Sequence, residues 1–292
     1  MSDLSEEALS SWQVNARFWD AGVGLHGNKY WQRLQKPSLE RLLGAHLQRP
    51  DARALDLATG NGLCARRMAG QGASVIATYG CDAMLEMARK HRDHHRGVRE
   101  ISIAKLDVTR ATDFEQFVEG DEFDIVLMNM AMMDVATLEP LADAIPRLLK
   151  KDGVFVVTTL HPAFFTSTHS NTVNVSFDPR TGEQDIIRSK TIAEYLHVKP
   201  ARGVAVIGQP AKQVPALEAN NRDVTLICSP AKLYFHRPLH EILGTFFRRG
   251  LVLDALEEPG FTEEDGVPER LEATANFVQL PTLMSLRFRR ES

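Results

Sequence analysis

The sequence predicts an α/β fold: a mostly parallel, doubly wound sheet with helices on both faces. Three observations carry this. Between residues 50 and 160 short apolar runs alternate with helical patterns at the spacing of βα units. A Gly-containing turn joins the first such run to the first helix. The chain has 292 residues, 43% of them hydrophobic and 25% charged, enough for one large α/β domain or for one with an inserted cap.

The elements follow in order. The stretch Trp12 to Leu43 reads as helical and carries Trp12, Phe18, Trp19, Tyr30 and Trp31. Arg53-Ala-Leu-Asp-Leu-Ala58 reads as a buried strand, followed by its turn and a helix from Gly62 to Gly70. Ala73 to Thr78 is the next strand, then comes a helix from Asp82 to about His95, and Ile101 to Leu106 is a third strand. Phe123 to Met128 is a fourth strand, Leu138 to Leu149 a helix, Lys151-Asp-Gly153 a turn and Val154 to Thr159 a fifth strand. Residues 163 to 230 break the rhythm, being polar and scattered with Pro, Gly and Ser, and read as an inserted cap, since a structureless loop of that length is unusual in a compact domain. Regularity returns with a helix from Leu239 to Phe247 and strands from Leu251 to Leu256 and Leu283 to Phe288. The expected organisation is a helical lid over 1–45, a core over 46–162 and 232–292, and a substrate cap over 163–231. In such sheets ligands sit outside the carboxyl ends of the strands, where the strand order reverses.

Composition narrows the function classes. The net charge is −4 and no Lys/Arg block is long, which argues against a nucleic-acid partner. The start is acidic without an apolar core, so no signal peptide is expected. No apolar run approaches the ~20 residues of a bilayer span. Cys64, Cys81 and Cys228 are too scattered for a disulfide framework or a zinc-ligand pair, so a cytoplasmic protein is expected.

Asp56-Leu-Ala-Thr-Gly60-Asn-Gly62, between strand and helix, resembles motif I of the class I S-adenosylmethionine (SAM) methyltransferases. Glycines there let the backbone approach the methionyl part of the cofactor, and the following helix presents unpaired N–H groups to its carboxylate. The first motif glycine is Ala58 here, and Asp56 is placed to reach the cofactor's ammonium through water or loop residues. The resemblance extends to Asp107-Val108, at the position that pairs with the adenine amino group, and to Phe123-Asp-Ile-Val-Leu-Met-Asn129, whose end lies beside the sulfonium. It also takes in the segment from Leu138 to the fifth strand, His161-Pro162, and Tyr234-Phe-His-Arg-Pro-Leu-His240 of a small-molecule branch. It covers about residues 12–162 and 232–290 and implies a Rossmann-like, seven-stranded sheet with SAM as cofactor and S-adenosylhomocysteine (SAH) as product.

One position departs from the family. Its second strand ordinarily ends in an acid that accepts both ribose hydroxyls, and Tyr79 stands there. A neutral phenol cannot replace a carboxylate in two such bonds at once. Either Tyr79 makes one ribose contact and Asp82 or water the rest, or the cofactor binds weakly, or the fold has drifted from methyl transfer; the first reading is favoured because the other motif positions are intact.

Other residues admit two readings. His161, after the fifth strand, is either a general base or a His-Pro turn shaping the pocket. Asn129 is either a methionyl contact or a cap, with position favouring the former. His91, His94 and His95 have the spacing of a metal face, but a solvated helix end fits them better, and no metal is expected. His236 and His240 lie one turn apart and read as a helix start or pocket lining, with His236 facing the substrate. The Trp12, Trp19 and Trp31 group is core packing or an aromatic lid, and Met128, Met130, Met132 and Met133 are core filling or pocket lining. Trp19, Tyr30, Met133, His161 and His236 are the expected acceptor-binding residues.

The fourth-strand end, Asn-Met-Ala-Met, lacks the Asn/Asp-Pro-Pro-aromatic pattern of enzymes that methylate base or glutamine amino groups. The expected acceptor is therefore an O, N or S nucleophile of a small organic molecule, a secondary metabolite among the candidates. The alternatives are a relative drifted to rearrangement or elimination, a non-catalytic regulator, or, more weakly, a nicotinamide enzyme, against which the absence of G-x-G-x-x-G speaks.

Overall fold

The computed structural model describes residues 2–93, 99–120, 122–166, 169–203 and 232–291. Its centre is one seven-stranded sheet. Strands β1 (Arg53–Leu57), β2 (Ser74–Tyr79), β3 (Ile101–Lys105), β4 (Phe123–Asn129) and β5 (Leu149–Leu160) run parallel to one another, while β11 (Leu283–Arg290) pairs antiparallel with both β5 and the edge strand β10 (Leu251–Glu257). The order is β10-β11-β5-β4-β1-β2-β3, so the chain reverses its direction of travel between β1 and β4. A ligand crevice is expected at that point, beyond Leu57 and Asn129.

Each face of the sheet has its own core. On one side Phe155, Phe246 and Phe288 cluster with centroids 5.0–6.1 Å apart, beneath α6 (Glu139–Leu148) and α7 (Leu239–Phe247). On the other, Leu39, Leu42 and Leu43 of α2 (Lys36–Leu47) and Ala65, Met68 and Ala69 of α3 (Leu63–Gly70) pack on Ile125, Leu127, Val154 and Val156. Strands so covered are apolar on both faces.

Several expectations need correction. The first helical stretch is three elements, because α1 (Ser2–Val23) stops at Gly24, whose φ of 72° is left-handed, and a π-helical turn (Trp31–Gln35) precedes α2. Lys151-Asp152-Gly153 is not a separate turn but an irregularity inside β5, with pairing to β4 slipping between Phe123 and Ile125. Only glycine fits at 153, where a Cβ would lie 2.6 Å from the carbonyl oxygen of Phe123. A helix, α5 (Ala111–Val118), lies where none was expected and buries Phe114 and Phe117. Helix α4 (Asp82–Asp93) is described to Asp93, so His94 and His95 lie outside the described residues.

The cap has regular structure in its described part. Strands β6 (His169–Phe177) and β7 (Gln184–Ile192) form an antiparallel hairpin, and β8 (Ala201–Gly203) pairs with β9 (Lys232–Tyr234) across residues 204–231. Those intervening residues, Cys228 among them, lie outside the description. Among the described residues no helix is long and apolar enough to cross a membrane.

Helix α1 lies over the carboxyl ends of the strands and is fastened by buried polar groups. Asp20 Oδ1 meets His91 Nε2 of α4 at 2.6 Å and accepts Asn61 Nδ2 at 2.8 Å. Arg66 donates to the carbonyls of Asn61 at 2.6 Å and of Leu25 at 2.9 Å. His91 is thus a buried helix-to-helix tie and not the solvated helix end expected of it.

Candidate active site

The loop after β1 is shaped by its backbone. Ala58, Gly60 and Gly62 take φ of 51°, 60° and 78°, so the chain coils in the left-handed region at alternate residues. Glycine adopts this at no steric cost, while Ala58 holds it at a cost of about 1–2 kcal/mol. The place a Cβ would take on Gly60 is filled by Trp19 of α1, whose ring would stand 2.6 Å from it. Glycine at 60 therefore permits both the turn and the close approach of the roof.

Beneath this loop Asp56 is buried. It accepts the Thr59 hydroxyl at 2.5 Å and the backbone N–H of Ala65. Burial nevertheless dominates and raises its carboxyl to about 7, although Thr59, Ala65 and Arg66 all pull it down.

Above the loop lies a cavity of about 510 Å³. Its floor is Asp56, Ala58, Gly60 and the end of β4 from Asn129 to Ala131. Its roof is Trp12, Trp19 and Val23 of α1, with Trp12 and Trp19 edge to face at 6.2 Å. One side is Tyr30, Trp31 and Gln35; the other is Phe165, Thr166, His169, Lys232 and Tyr234 from the cap and its borders. Asn129 is held at both ends of its amide: Nδ2 donates to Gln35 Oε1 at 2.9 Å and Oδ1 accepts Thr158 Oγ1 at 2.6 Å. The next residue, Met130, has φ of 53°, a strained value of the kind that clusters at functional sites.

A smaller crevice opens beside the cavity and shares with it Trp12, Ala58, Tyr79, Ala131 and Asp134. Asp107 and Val108 line it, with Ala8 and Leu9 of α1 opposite. Asp107 Oδ1 accepts the N–H and hydroxyl of Thr109 at 2.9 and 2.7 Å, which fixes the carboxylate. Tyr79 is buried, and desolvation pushes its phenol well up, so it is a neutral donor and acceptor at any ordinary pH.

The expected residues divide accordingly. Asp56, Ala58, Gly60, Tyr79, Asn129, Trp19, Tyr30 and Met133 line the cavity, and Asp107 and Val108 the adjoining crevice. Gly62 serves the turn without lining it. Two expectations are corrected. His161 does not line the cavity: its Nε2 is bonded to Glu258 at 2.8 Å and its Nδ1 accepts the N–H of Ala163, so both ring nitrogens are engaged in shaping the segment after β5. His236 is also turned away, its Nε2 donating to the carbonyl of Tyr195 at 2.7 Å.

Three features were missed. His169, first residue of the cap hairpin, lines the cavity; its Nδ1 donates to the carbonyl of Thr166, which leaves Nε2 as an acceptor, and burial lowers its pKa so that the ring is neutral. The other two are Gln35 and the Asp134–Lys232 pair. The signal for them was slight: Asp134 lies a short way beyond Asn129 of the motif, while Gln35, His169 and Lys232 come from segments without one.

A family model described as a methyltransferase domain matches residues 55–157, which run from β1 into β5. No curated protein matches the sequence. Among solved structures, a SAM-dependent methyltransferase from Mesorhizobium loti aligns with 91% of this chain and 100% of its own at 21% identity and a TM-score of 0.58. The CcbJ methyltransferase from Streptomyces caelestis aligns over 98% and 99% at 13% identity and 0.53. DhpI, in its complex with SAM and HEP, aligns over 98% and 97% at 14% identity and 0.54. At such identities the likeness is one of fold, and it extends over nearly the whole chain. Residues 55–157 match a methyltransferase domain, and the chain has the fold of the SAM-dependent methyltransferases with which it aligns.

Proposed function

We propose that the protein transfers the methyl group of SAM to an oxygen, nitrogen or sulfur nucleophile of a small organic molecule held between α1 and the cap hairpin. The observation that carries this is the cavity itself, about 510 Å³, roofed by a helix and open to the crevice at the point where strand order reverses. A roofed chamber of that size suits a small acceptor and not a polymer. Its aromatic walls, Trp12, Trp19, Tyr30, Phe165 and Tyr234, favour an acceptor with an apolar or aromatic body, as many secondary metabolites have.

The residues present fit the cofactor. The left-handed loop at Ala58, Gly60 and Gly62 keeps side chains out of the way of a ligand's main chain, and Asp56 beneath it offers negative charge to an ammonium group. Asp107 and Val108, where the resemblance puts the adenine, line the adjoining crevice, and Asn129 stands at the end of β4 with both its amide atoms held. SAM supplies a methyl group already activated by a sulfonium charge. The protein is left to align the acceptor behind that carbon, to exclude water, and to take a proton where the acceptor must lose one. Trp19 and Trp12 close the chamber, and His169 in its wall, with Nδ1 engaged by Thr166, is the residue that would serve as the base.

The test is calorimetric titration of the protein with SAM and with SAH, followed by a panel of small phenols, amines and thiols scored by mass spectrometry for a gained methyl group. Micromolar binding and a methylated product are expected. Failure to bind either ligand would sink the proposal. Turnover of a substrate without consumption of SAM would instead favour the drifted chemistry that Tyr79 raises as a second reading.

A further inference from the structure

The junction between crevice and cavity has one acid that the resemblance does not account for. Asp134 ends the 3-10 turn Met132–Asp134 beyond β4 and lines both spaces, as Tyr79 does from the end of β2. Its side chain is 11% exposed and that of Lys232 14%, and Lys232 Nζ reaches Asp134 Oδ1 at 2.6 Å. Among the described residues Lys232 is the sole side-chain donor to Asp134, so Oδ2 keeps its acceptor capacity at the wall. The charge of Asp134 is close enough to act on the phenols of both Tyr79 and Tyr234. Lys232 Nζ also lies 5.6 Å from the centroid of Trp12, which ties the pair to the roof.

A buried Lys–Asp pair is seldom retained for stability, since an apolar pair of the same volume is often as good or better. A ligand with hydroxyl donors at this junction would complete the hydrogen bonding of the carboxylate. SAM carries such donors in its vicinal ribose hydroxyls, and the phenol of Tyr79 cannot accept both. Resting on the reading that SAM binds in this crevice and cavity, we infer that Asp134, oriented by Lys232, accepts the ribose hydroxyls that the end of β2 lacks a carboxylate to hold. Asp134 is then a cofactor-binding residue and Lys232 a positioning residue. The division of labour differs from a single acid on β2: Tyr79 packs against the sugar, and the charge comes from the β4 side.

Calorimetry separates the possibilities without an acceptor. Wild-type protein is titrated with SAH, adenosine and 2′,3′-dideoxyadenosine, and D134N with the same three. The inference expects wild type to prefer adenosine over its dideoxy form by about 10- to 100-fold, the yield of hydrogen bonds to a charged group. D134N should lose that preference while binding the dideoxy form as wild type does, which also shows that the variant is folded. K232M, which leaves the carboxylate but not its orienting partner, should lower the preference in part. The inference is overturned if D134N retains the preference, or if wild type binds SAH yet does not distinguish the two nucleosides; the latter holds whether or not D134N folds. Absence of SAH binding to wild type would instead overturn the parent reading, and this one with it.

Discussion

The floor and the roof of the cavity are built on opposite plans. The floor is backbone: three left-handed residues at the end of β1, a strained Met130 at the end of β4 and the buried Asp56 under them. The roof and the cap side are side chains brought from far along the sequence: Trp12 and Trp19 from α1, Phe165 and His169 beyond β5, and Lys232 from β9. A backbone device needs particular residues at fixed short spacing, whereas a side-chain wall needs only suitable surfaces that converge. On the proposed function the floor serves the cofactor, and the roof is where the acceptor would be chosen.

The comparison is broken most severely where floor and roof touch. Gly60→Val places a β-branched residue at φ 60° and drives its Cβ towards Trp19, 2.6 Å away. SAM affinity should fall by more than about 100-fold by calorimetry. Adding Trp19→Ala should recover the steric part only; full affinity in Gly60→Val alone would show that floor and roof do not meet.

On the roof side, His169→Gln keeps a polar side chain of similar reach but removes the base. For an acceptor that must lose a proton, kcat/KM should drop by about 100-fold or more and lose its acidic limb, with SAH binding unchanged. A parallel loss of SAH affinity would mean that His169 belongs to the floor's task instead.

Asp56 sharpens the contrast through pH. Its carboxyl titrates near 7 when folded, against 3.8 as its ordinary value, so the folded state holds the proton more tightly between those limits. Stability of the ligand-free protein should therefore fall as pH rises through that window. Binding runs the other way: the ammonium of SAM favours the ionised carboxyl, so affinity should rise with pH by up to about tenfold per unit below 7 and level off above it. Asp56→Asn should flatten both profiles in thermal melts and calorimetry.

The smallest effect is expected at Ala58. Ala58→Gly removes the left-handed cost while adding freedom to the unfolded chain, for a net gain of about 0.5–1 kcal/mol in urea unfolding. A loss of stability would show that the methyl group packs usefully against the core clusters it borders.

Legibility in the sequence followed the same division. The strands of the sheet and Asp56, Gly60, Asp107 and Asn129 were readable because strand ends and tight turns constrain residue type locally. Helix α5 was missed although Phe114, Phe117 and Val118 have helical spacing, because eight residues give little pattern to weigh. The cap was legible as an insertion but its hairpin was not, since its strands are largely exposed, although Ile186, Arg188, Lys190 and Ile192 alternate as one partly covered face. Proximity to a strand end points to His161 and says nothing of His169, and only the fold shows that Glu258 occupies the first and that the second lines the cavity. No local rule announces Asp134 and Lys232 as partners, because 98 positions separate them.

The fastening of α1 by Asp20 to His91 and Asn61 gives the protein a clock as well as a roof. Leu9 and Trp12 lie across the crevice, so a nucleoside bound there as proposed would leave when the helix lifts. Spent cofactor would then be retained for as long as the latch holds, and the pace of turnover would pass from chemistry to helix motion, on the microsecond-to-millisecond scale of such openings. A molecule that pressed α1 down would slow the enzyme without approaching the acceptor, acting on dwell time alone.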